Sequence, residues 1–277
     1  MQSTTQTTAG TILEQLRREP PLVQIITNYV TINDVANALL CLGGSPAMVE
    51  AENEVASFAR IVSSLYLNVG TLTAEQSRSM PLALAAARER GIPVVLDPVA
   101  CGAFPEKMTY VQSLLAQGGV SIIKGNSAEI LSLSGMEGRS RGVDALESSA
   151  STADACRIVA KKFGAVVMAT GPVDCVSDGT ATWSITGGHP LLGRVSGTGC
   201  VLGGLVAAAT AAARKLGADD VAGCFTAAAV FAMAAEQVAT LPTTVGPMSF
   251  KNALFDRLTS IPQTELDAYT KTAWSRL

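Results

Sequence analysis

The sequence predicts an α/β fold in three layers, with a mostly parallel central sheet and helices on both faces. Three observations support this prediction. Short apolar runs alternate with longer helical stretches over the first two thirds of the 277-residue chain. These runs lack polar–apolar alternation, which is typical of strands buried on both faces. Beyond residue 199 the pattern is almost entirely helical, so strand–helix alternation ends in a helical layer.

The elements follow in order from these patterns. Apolar runs that end in polar residues or glycine predict strands at 22–28, 65–70, 93–99, 121–125 and 165–171. Periodic stretches predict helices at about 33–42, 53–61, 73–90, 105–117 and 152–163, and later at 199–215, 219–239, 247–259 and 263–274. Two alternating runs around Asp178-Gly179 predict a β-hairpin instead. Asn33 is a candidate N-cap and Gly43 a candidate helix stop.

No linker or repeat divides the chain, although 135–151 is a polar, Gly/Ser-rich loop in this interpretation. We therefore expect a single domain over residues 1–277.

Composition excludes several classes of function. The chain is 48% hydrophobic and 16% charged, with a net charge of −3 and no basic patch, which argues against nucleic-acid binding. Six widely spaced cysteines without a CxxC pair indicate reduced thiols rather than a zinc site or disulfides. The first residues are polar, and the longest apolar runs are too short and too rich in Gly and Ala to span a bilayer. We expect a cytoplasmic protein without membrane contact.

Polar residues stand at nearly every predicted strand end. The carboxyl ends of parallel strands share one edge of the sheet, where ligands of such folds bind. The residues at these ends are Thr27-Asn28, Asn68-Val69-Gly70, Asp97-Pro98-Val99, Lys124-Gly125-Asn126 and Thr170-Gly171. We expect the functional site there.

A glycine-rich turn, "SGTG" at 196–199, leads directly into a helix. Its spacing misses the dinucleotide pattern GxGxxG because residue 202 is Leu, and the P-loop pattern GxxxxGK[ST] is absent from the sequence. The turn instead predicts an anion hole built from the backbone N–H groups of Gly197, Thr198, Gly199 and Cys200. An ordinary helix start, with glycines for close packing, is the alternative.

Cys200 lies in the first turn of that helix. The helix dipole there is expected to lower the pKa of the thiol. A buried structural cysteine is an equal alternative. A Cys–His nucleophilic pair would need His189, the single histidine, and no third group that could orient it is evident.

Asp97 and Glu129 form a candidate acidic pair beside Lys124. Two carboxylates at neighbouring strand ends suit Mg²⁺ that is held through waters and bridged to substrate phosphates. The alternative is that each carboxylate caps its own turn or helix. The anion hole nearby favours the metal–phosphate interpretation.

Several segments together resemble the hydroxyethylthiazole kinase family of the ribokinase-like superfamily. They are "ITNYVTINDVANALLCLGGSPAM", "LYLNVGTL", "VVLDPVACGA", "IIKGNSAEI", "ATGPVD" and "VSGTGCVLGG", in the expected order between about residues 18 and 260. The resemblance implies a ribokinase-like fold and ATP-dependent phosphorylation of 4-methyl-5-(2-hydroxyethyl)thiazole in thiamin salvage. It also implies a homotrimer with active sites at subunit interfaces.

The resemblance also implies roles for individual residues. Met48 and Gly197 would contact the thiazole, and Asn28 and Val30 would line its pocket. ATP would be bound by Lys124, Asn126 and Thr170, Mg²⁺ would be organised by Asp97 and Glu129, and Cys200 would take the catalytic position. Departures from the family pattern are Tyr29, Asp34, Met248 and Lys124, where some members carry Arg.

Three other functions stay open at this point. One is a related kinase for another small alcohol, of the hydroxymethylpyrimidine type. A second is a thiazole- or nucleotide-binding sensor without turnover. The third is a cysteine hydrolase.

Overall fold

The computed structural model describes residues 7–136 and 149–277, and within them it has a three-layer α/β fold. The central sheet has nine strands in the order β2-β1-β3-β4-β5-β6-β7-β8-β9. Strands β1 to β6 pair in parallel, and β7, β8 and β9 continue the sheet in antiparallel pairs. The strands are β1 Leu22–Ile26, β2 Ser45–Ala47, β3 Ser64–Asn68, β4 Val94–Asp97, β5 Ile122–Asn126, β6 Val166–Thr170, β7 Asp174–Ser177, β8 Thr182–Ile185 and β9 Trp274–Arg276.

Helices cover both faces of this sheet. In chain order they are α1 Ala9–Arg18, α2 Ile32–Leu42, α3 Val55–Ala59, α4 Ala74–Arg90, α5 Pro105–Ala116, α6 Ser127–Ser134, α7 Ser149–Phe163, α8 Thr198–Lys215, α9 Asp220–Ala239, α10 Pro247–Ser260 and α11 Gln263–Ala273. A short 3₁₀ helix, Pro190–Arg194, precedes α8.

Alternate residues of the central strands face opposite helical layers. Tyr66 of β3 packs in the apolar cluster that α1, α2, α8, α9 and α10 form, whereas Leu65 and Leu67 pack against the α4–α7 side. All five residues of β3 and all four of β4 are buried. The unbroken apolar runs are therefore strands covered on both faces, and the predicted fold class is confirmed.

The predicted β-hairpin is confirmed. Strands β7 and β8 pair antiparallel from Ser177–Thr182 to Asp174–Ile185. Gly179, in the turn, has φ +87°, a backbone conformation that glycine adopts without strain.

Several elements differ from the predictions. Helix α1 begins at a capping box of Thr8 and Thr11, in a segment for which no helix was predicted. The Ser-Pro stretch forms the short strand β2 beside β1, and the predicted helix 263–274 ends at Ala273, because Trp274 begins the edge strand β9. The helix predicted at 53–61 is only Val55–Ala59.

Two further predictions are corrected near chain turns. Helix α2 begins after Thr31, so Asn33 is not its N-cap, and the Asn33 side chain accepts a hydrogen bond from Asn37 (2.8 Å). Gly43, at φ +109°, does end that helix. Of the loop predicted at 135–151, residues 149–151 belong to α7, and 137–148 lie outside the described residues.

In the described parts of the chain, one helix, α9, is long and apolar enough to cross a membrane by length and composition. Within it, 78% of the apolar stretch is buried inside the protein.

Candidate active site

The carboxyl ends of the parallel strands bring the predicted polar residues together. Asn68 at the end of β3 lies in register with Asp97 at the end of β4. Lys124 of β5 places its Nζ 3.4 Å from Asp97 Oδ2, and both side chains are almost completely buried. A buried ion pair of this kind needs further hydrogen bonds to offset the loss of hydration.

Tyr66 supplies those hydrogen bonds. Its hydroxyl oxygen lies 3.0 Å from Asp97 Oδ2 and 3.0 Å from the backbone carbonyl oxygen of Cys200, so its single proton is donated to one of them or shared between the two. The same oxygen accepts a hydrogen bond from Asn68 Nδ2 (2.9 Å). A Cβ at Gly203 of α8 would lie 2.5 Å from this hydroxyl oxygen. Gly203 therefore allows α8 to pack closely against Tyr66. Nothing in the sequence pattern singles out Tyr66.

Asn28 links the end of β1 to this centre. Its Nδ2 donates to Asn68 Oδ1 (2.9 Å) and to the Cys200 sulfur (3.3 Å), while its Oδ1 accepts from the backbone and hydroxyl of Thr31 (3.2 and 3.1 Å). The predicted pocket residue Asn28 thus contacts the predicted catalytic residue Cys200.

The glycine-rich turn faces the same corner. Gly197 caps α8 with φ +83°, and a Cβ there would lie 2.1 Å from Thr31 Cγ2. A Cβ at Gly199 would lie 3.2 Å from Lys124 Nζ. Position 197 therefore has room only for glycine. Lys124 lies beside the N-terminus of this 18-residue helix.

The Cys200 thiol has a raised pKa, so the predicted lowering is wrong. Burial is the main cause and the neighbouring Asp97 carboxylate adds to it, whereas Lys124 and the amides of Asn68 and Asn28 oppose it. Burial and a nearby carboxylate both disfavour the thiolate. The thiol is protonated at neutral pH.

The pKa values of Asp97 and Lys124 are also shifted. Burial raises the pKa of Asp97, and Lys124 opposes that rise. Burial alone would lower the pKa of Lys124, but Asp97, Cys200 and Glu129 together raise it. Lys124 therefore remains a cation in the site.

Glu129 forms the capping interactions that the sequence analysis gave as an alternative. Its Oε2 accepts from the backbone N–H of Asn126 (2.7 Å), and its own N–H donates to Asn126 Oδ1 (2.9 Å). Its Oε1 accepts from the N–H of Ala100 (2.8 Å), which has φ +56°, the single positive φ of a non-glycine residue in the described ranges. Glu129 thereby ties the loop after β4 to the junction of β5 and α6.

A cavity of about 590 Å³ opens beside the turn. Its polar wall includes Thr170, Asp174, Thr198 and Gly199, and its apolar wall includes Phe231. The predicted ATP residue Thr170 donates from its hydroxyl to the carbonyl of Gly125 (3.2 Å). The cavity continues from the glycine-rich turn, and its volume is within the range of small-molecule sites.

Asp174 also lines the cavity, although it does not stand among the strand-end residues that the sequence singles out. It begins β7, and its Oδ1 accepts from the N–H of Gly171 (2.9 Å). Desolvation raises the pKa of Asp174 to about 6, against the Gly171 hydrogen bond and the charge of Lys124.

His189 also lines the cavity, but it does not form the nucleophilic pair considered above. Its Nδ1 accepts from the backbone N–H of Leu191 (3.3 Å). Within the described residues, the hydrogen bonds of the Cys200 thiol involve Asn28 and Asn68.

A model of the hydroxyethylthiazole kinase family matches residues 13–264, which is most of the chain. The chain belongs to the hydroxyethylthiazole kinase family.

Individual relatives of this family agree with the match. Hydroxyethylthiazole kinase of Clostridium novyi (strain NT) is 41% identical over 261 residues, which cover 94% of this chain and 96% of the relative. A solved structure of the hydroxyethylthiazole kinase protein from Pyrococcus horikoshii OT3 is 35% identical, with a TM-score of 0.85 over 97% of this chain and 98% of that one. A ribokinase-like superfamily protein from Enterococcus faecalis V583, at 14% identity and a TM-score of 0.59 over 95% and 92% of the two chains, shares the fold. The family match and the likeness to the two hydroxyethylthiazole kinases support a kinase over the sensor and the cysteine hydrolase.

The departures from the pattern of the hydroxyethylthiazole kinase family lie around the strand-end edge. Tyr29 is exposed, and its hydroxyl donates to Glu50 (3.0 Å). Asp34 forms an ion pair with Lys251 of α10 (3.0 Å), which explains a charge on this helix face. Met248 at the start of α10 is 62% exposed and Val30 is 65% exposed, while Met48, after β2, is half-buried against the core.

The donor set fits a magnesium ion that a nucleotide brings with it. Among the described residues no group of three or more His, Cys, Asp or Glu side chains could hold a metal by itself. Mg²⁺ commonly uses one or two carboxylates together with waters and substrate phosphates. The carboxylates that suit it are Asp97 and Glu129. The hydrogen bonds that Asp97 accepts from described side chains reach its Oδ2, which leaves Oδ1 for such a ligand.

Proposed function

We propose that this chain transfers the γ-phosphoryl group of ATP to the hydroxyl group of 4-methyl-5-(2-hydroxyethyl)thiazole in thiamin salvage. The observation that supports this most directly is the meeting of the Gly197–Cys200 turn with Lys124 and the buried Asp97. Family membership supplies the identity of the alcohol. ATP would approach the turn from the cavity, and the alcohol would approach it from the side of Asn28.

The cavity is the proposed ATP site. Thr170, Asn126 and Lys124 would bind its phosphates, and the N–H groups of the turn would stabilise the charge that develops on the transferred group. Phosphoryl transfer depends mainly on position and on charge stabilisation, which fixed backbone donors and a buried cation provide. Lys124 contributes one compact ammonium charge here, whereas an arginine could bind a phosphate through two parallel hydrogen bonds.

The alcohol is proposed to lie against Asn28, Val30, Met48 and Gly197. Cys200, at the start of α8, would hold the hydroxyl in line with the γ-phosphate. Because its pKa is raised, the thiol is a poor base before transfer begins. We infer that Cys200 orients the hydroxyl and that Asn28, which contacts its sulfur, fixes the thiol.

Asp97 and Glu129 would hold Mg²⁺, largely through waters. When bound, the ion would neutralise phosphate charge. The role of Asp97 that follows from its own contacts is to keep Lys124 charged and in place beside the turn.

We also propose that the chain is one kinase domain, that it works in the cytoplasm and that it forms a homotrimer with interfacial active sites. The exposure of Val30 and Met248 supports the interface. Large apolar side chains beside a binding site are typical of a surface that a partner covers.

ADP release in the presence of Mg²⁺ and ATP tests this function. We expect release to depend on hydroxyethylthiazole and to stop when Mg²⁺ is chelated. Hydroxymethylpyrimidine is the matched alternative alcohol, and a higher kcat/KM with it would contradict the proposed substrate. Binding of the thiazole alcohol without any ADP release would identify a sensor instead.

A further inference from the structure

The loop between β8 and α8 forms a large part of the cavity wall. The residues that it contributes to the lining are Gly187, Gly188, His189, Pro190, Leu192 and Gly193. Gly187 and Gly188 both have positive φ values, 146° and 91°. Few residues other than glycine adopt these φ values, so the shape of the loop depends on the contacts that its backbone makes.

Glu236 of α9 holds this loop from behind. Its Oε1 accepts from the backbone N–H of Gly188 (2.8 Å) and from the hydroxyl of Tyr269 on α11 (2.9 Å). Ala232, one turn earlier on α9, lines the cavity itself. Burial and then the neighbouring Glu236 raise the pKa of Tyr269, so its hydroxyl stays protonated and able to donate.

The fit between the loop and this pair is close. A Cβ at Gly187 would lie 2.1 Å from the Tyr269 hydroxyl oxygen and 2.9 Å from Glu236 Oε1. The preceding residue, Thr186, donates its N–H to the carbonyl of Ala273 at the end of α11 (2.7 Å). The C-terminal helix therefore anchors both the start of the loop and the carboxylate that holds it.

We propose that Glu236 is a positioning residue for the nucleotide, which together with Tyr269 fixes loop 187–193 in the shape that binds ATP. This inference rests on the proposed function, because it takes the cavity as the ATP site. Within the described ranges the side-chain hydrogen bonds of Glu236 are to Gly188 and Tyr269, so it acts through the loop. Its loss should weaken nucleotide binding and leave the reaction corner intact.

The test measures the Kd of a non-hydrolysable ATP analogue with Mg²⁺ by calorimetry, and the KM of each substrate. Glu236→Ala leaves the Gly188 N–H without its acceptor, and we expect the Kd and the KM for ATP to rise about tenfold. The KM for hydroxyethylthiazole and kcat at saturating ATP should stay within about twofold of wild type. Glu236→Gln keeps a carbonyl acceptor and should restore the affinity, and Tyr269→Phe should have a smaller effect of about threefold.

Glu265→Ala is the matched control. It removes an ion pair with Arg257 and a hydrogen bond with Gln237 that join α9, α10 and α11, without touching the loop. Equal losses of analogue affinity in Glu236→Ala and Glu265→Ala would overturn the inference, as would an unchanged Kd in Glu236→Ala. If Glu236→Ala does not fold, Tyr269→Phe with an unchanged Kd overturns it. A wild-type protein that does not bind the analogue would overturn the proposed function instead.

Discussion

At the scale of single residues, the hydroxyl group of Tyr66 joins three parts of the proposed site. It contacts the buried carboxylate of Asp97, the first turn of α8 and the side chain of Asn68. Two of these partners lie far from Tyr66 in sequence. This single side chain links the ion pair to the glycine-rich turn at the start of α8.

Tyr66→Phe keeps the buried ring but removes this hydroxyl. A hydrogen bond to a charged group contributes about 1.5–3 kcal/mol, so we expect kcat to fall about tenfold to a hundredfold. The KM values should change little, because the phenol does not line the proposed substrate pockets. Steady-state ADP release measures kcat and the KM values, and thermal unfolding shows whether the variant is folded. Tyr110→Phe removes a hydroxyl that donates to Ser77 outside the site, and it should leave kcat unchanged. A folded Tyr66→Phe variant with wild-type kcat would contradict the role.

Asp174 should make stability depend on pH. Its carboxyl pKa is raised from 3.8 to about 6, so the folded state binds the proton more tightly than the unfolded state. The stabilisation is complete below about pH 3.8 and is lost as the pH rises through about 6. Asp174→Asn keeps an acceptor for the Gly171 N–H without the charge. We expect its free energy of unfolding to exceed that of wild type by on the order of 2 kcal/mol at pH 7, with little difference at pH 4. Urea unfolding at both pH values measures this, and a difference that is independent of pH would count against it.

The sequence could indicate some of these residues and not others. Asp97, Lys124 and Glu129 stand at strand ends, where the shared edge of a parallel sheet makes them conspicuous. Tyr66 lies inside a buried strand and looks like core. Its role depends on the pairing of β3 with β4 and on the approach of α8, which one sequence does not reveal. The pKa of Cys200 was misjudged for the same reason, since burial and Asp97 are tertiary effects.

At the scale of elements, the start of α8 decides whether the site exists. Its turn is held against α2 by the close approach of Gly197 to Thr31, and against β5 by Lys124. The helix thus presents its free N–H groups at a fixed place.

Gly197→Ala should separate the turn from α2. The added methyl group would meet Thr31 Cγ2, and the residue would keep an unfavourable positive φ. We expect kcat/KM to fall by about a hundredfold or more, comparable with the loss of an oxyanion-hole donor. Gly217→Ala is the control, because Gly217 follows the other end of the same helix with φ +72° and open space around it. Equal activity losses in the two variants would show that backbone strain, and not the position of the turn, is responsible.

Elements with a strong hydrophobic pattern or a turn signal could be predicted, whereas the three-residue strands and helix α1 could not. The buried runs that became β1 and β3–β6 and the helices α8–α10 follow from hydrophobic pattern alone. Strands β2 and β9 have three residues each, and they exist because a neighbouring strand offers hydrogen bonds. Helix α1 depends on a threonine capping box and on packing against α11 and α8.

At the scale of the whole molecule, two exposed apolar side chains, Val30 and Met248, stand just before α2 and in the first turn of α10. Arg17 contacts the carbonyls of Leu42 and Ile261 at the ends of α2 and α10, so these helices run in the same direction. Asp34 in the first turn of α2 pairs with Lys251 near the start of α10, so Val30, just before α2, and Met248 lie at the same end of the molecule.

Met248→Glu tests whether this end of the molecule lies in the proposed trimer interface. A charge placed in the interface should shift the protein toward monomer in light scattering and lower kcat/KM for hydroxyethylthiazole about tenfold. Leu216→Glu places the same charge on an exposed apolar residue at the far end of α8, and it should change neither property. If Met248→Glu has the oligomeric mass and the activity of wild type, Met248 does not lie in the trimer interface.

The most direct measurement follows the phosphoryl group itself. The protein is incubated with Mg²⁺, hydroxyethylthiazole and ATP whose γ-phosphate contains heavy oxygen, and the products are analysed by mass spectrometry. We expect each ADP to be matched by one thiazole phosphate that carries the labelled phosphoryl group. Labelled inorganic phosphate as the main product, or no ADP at all, would contradict transfer of the phosphoryl group to the alcohol.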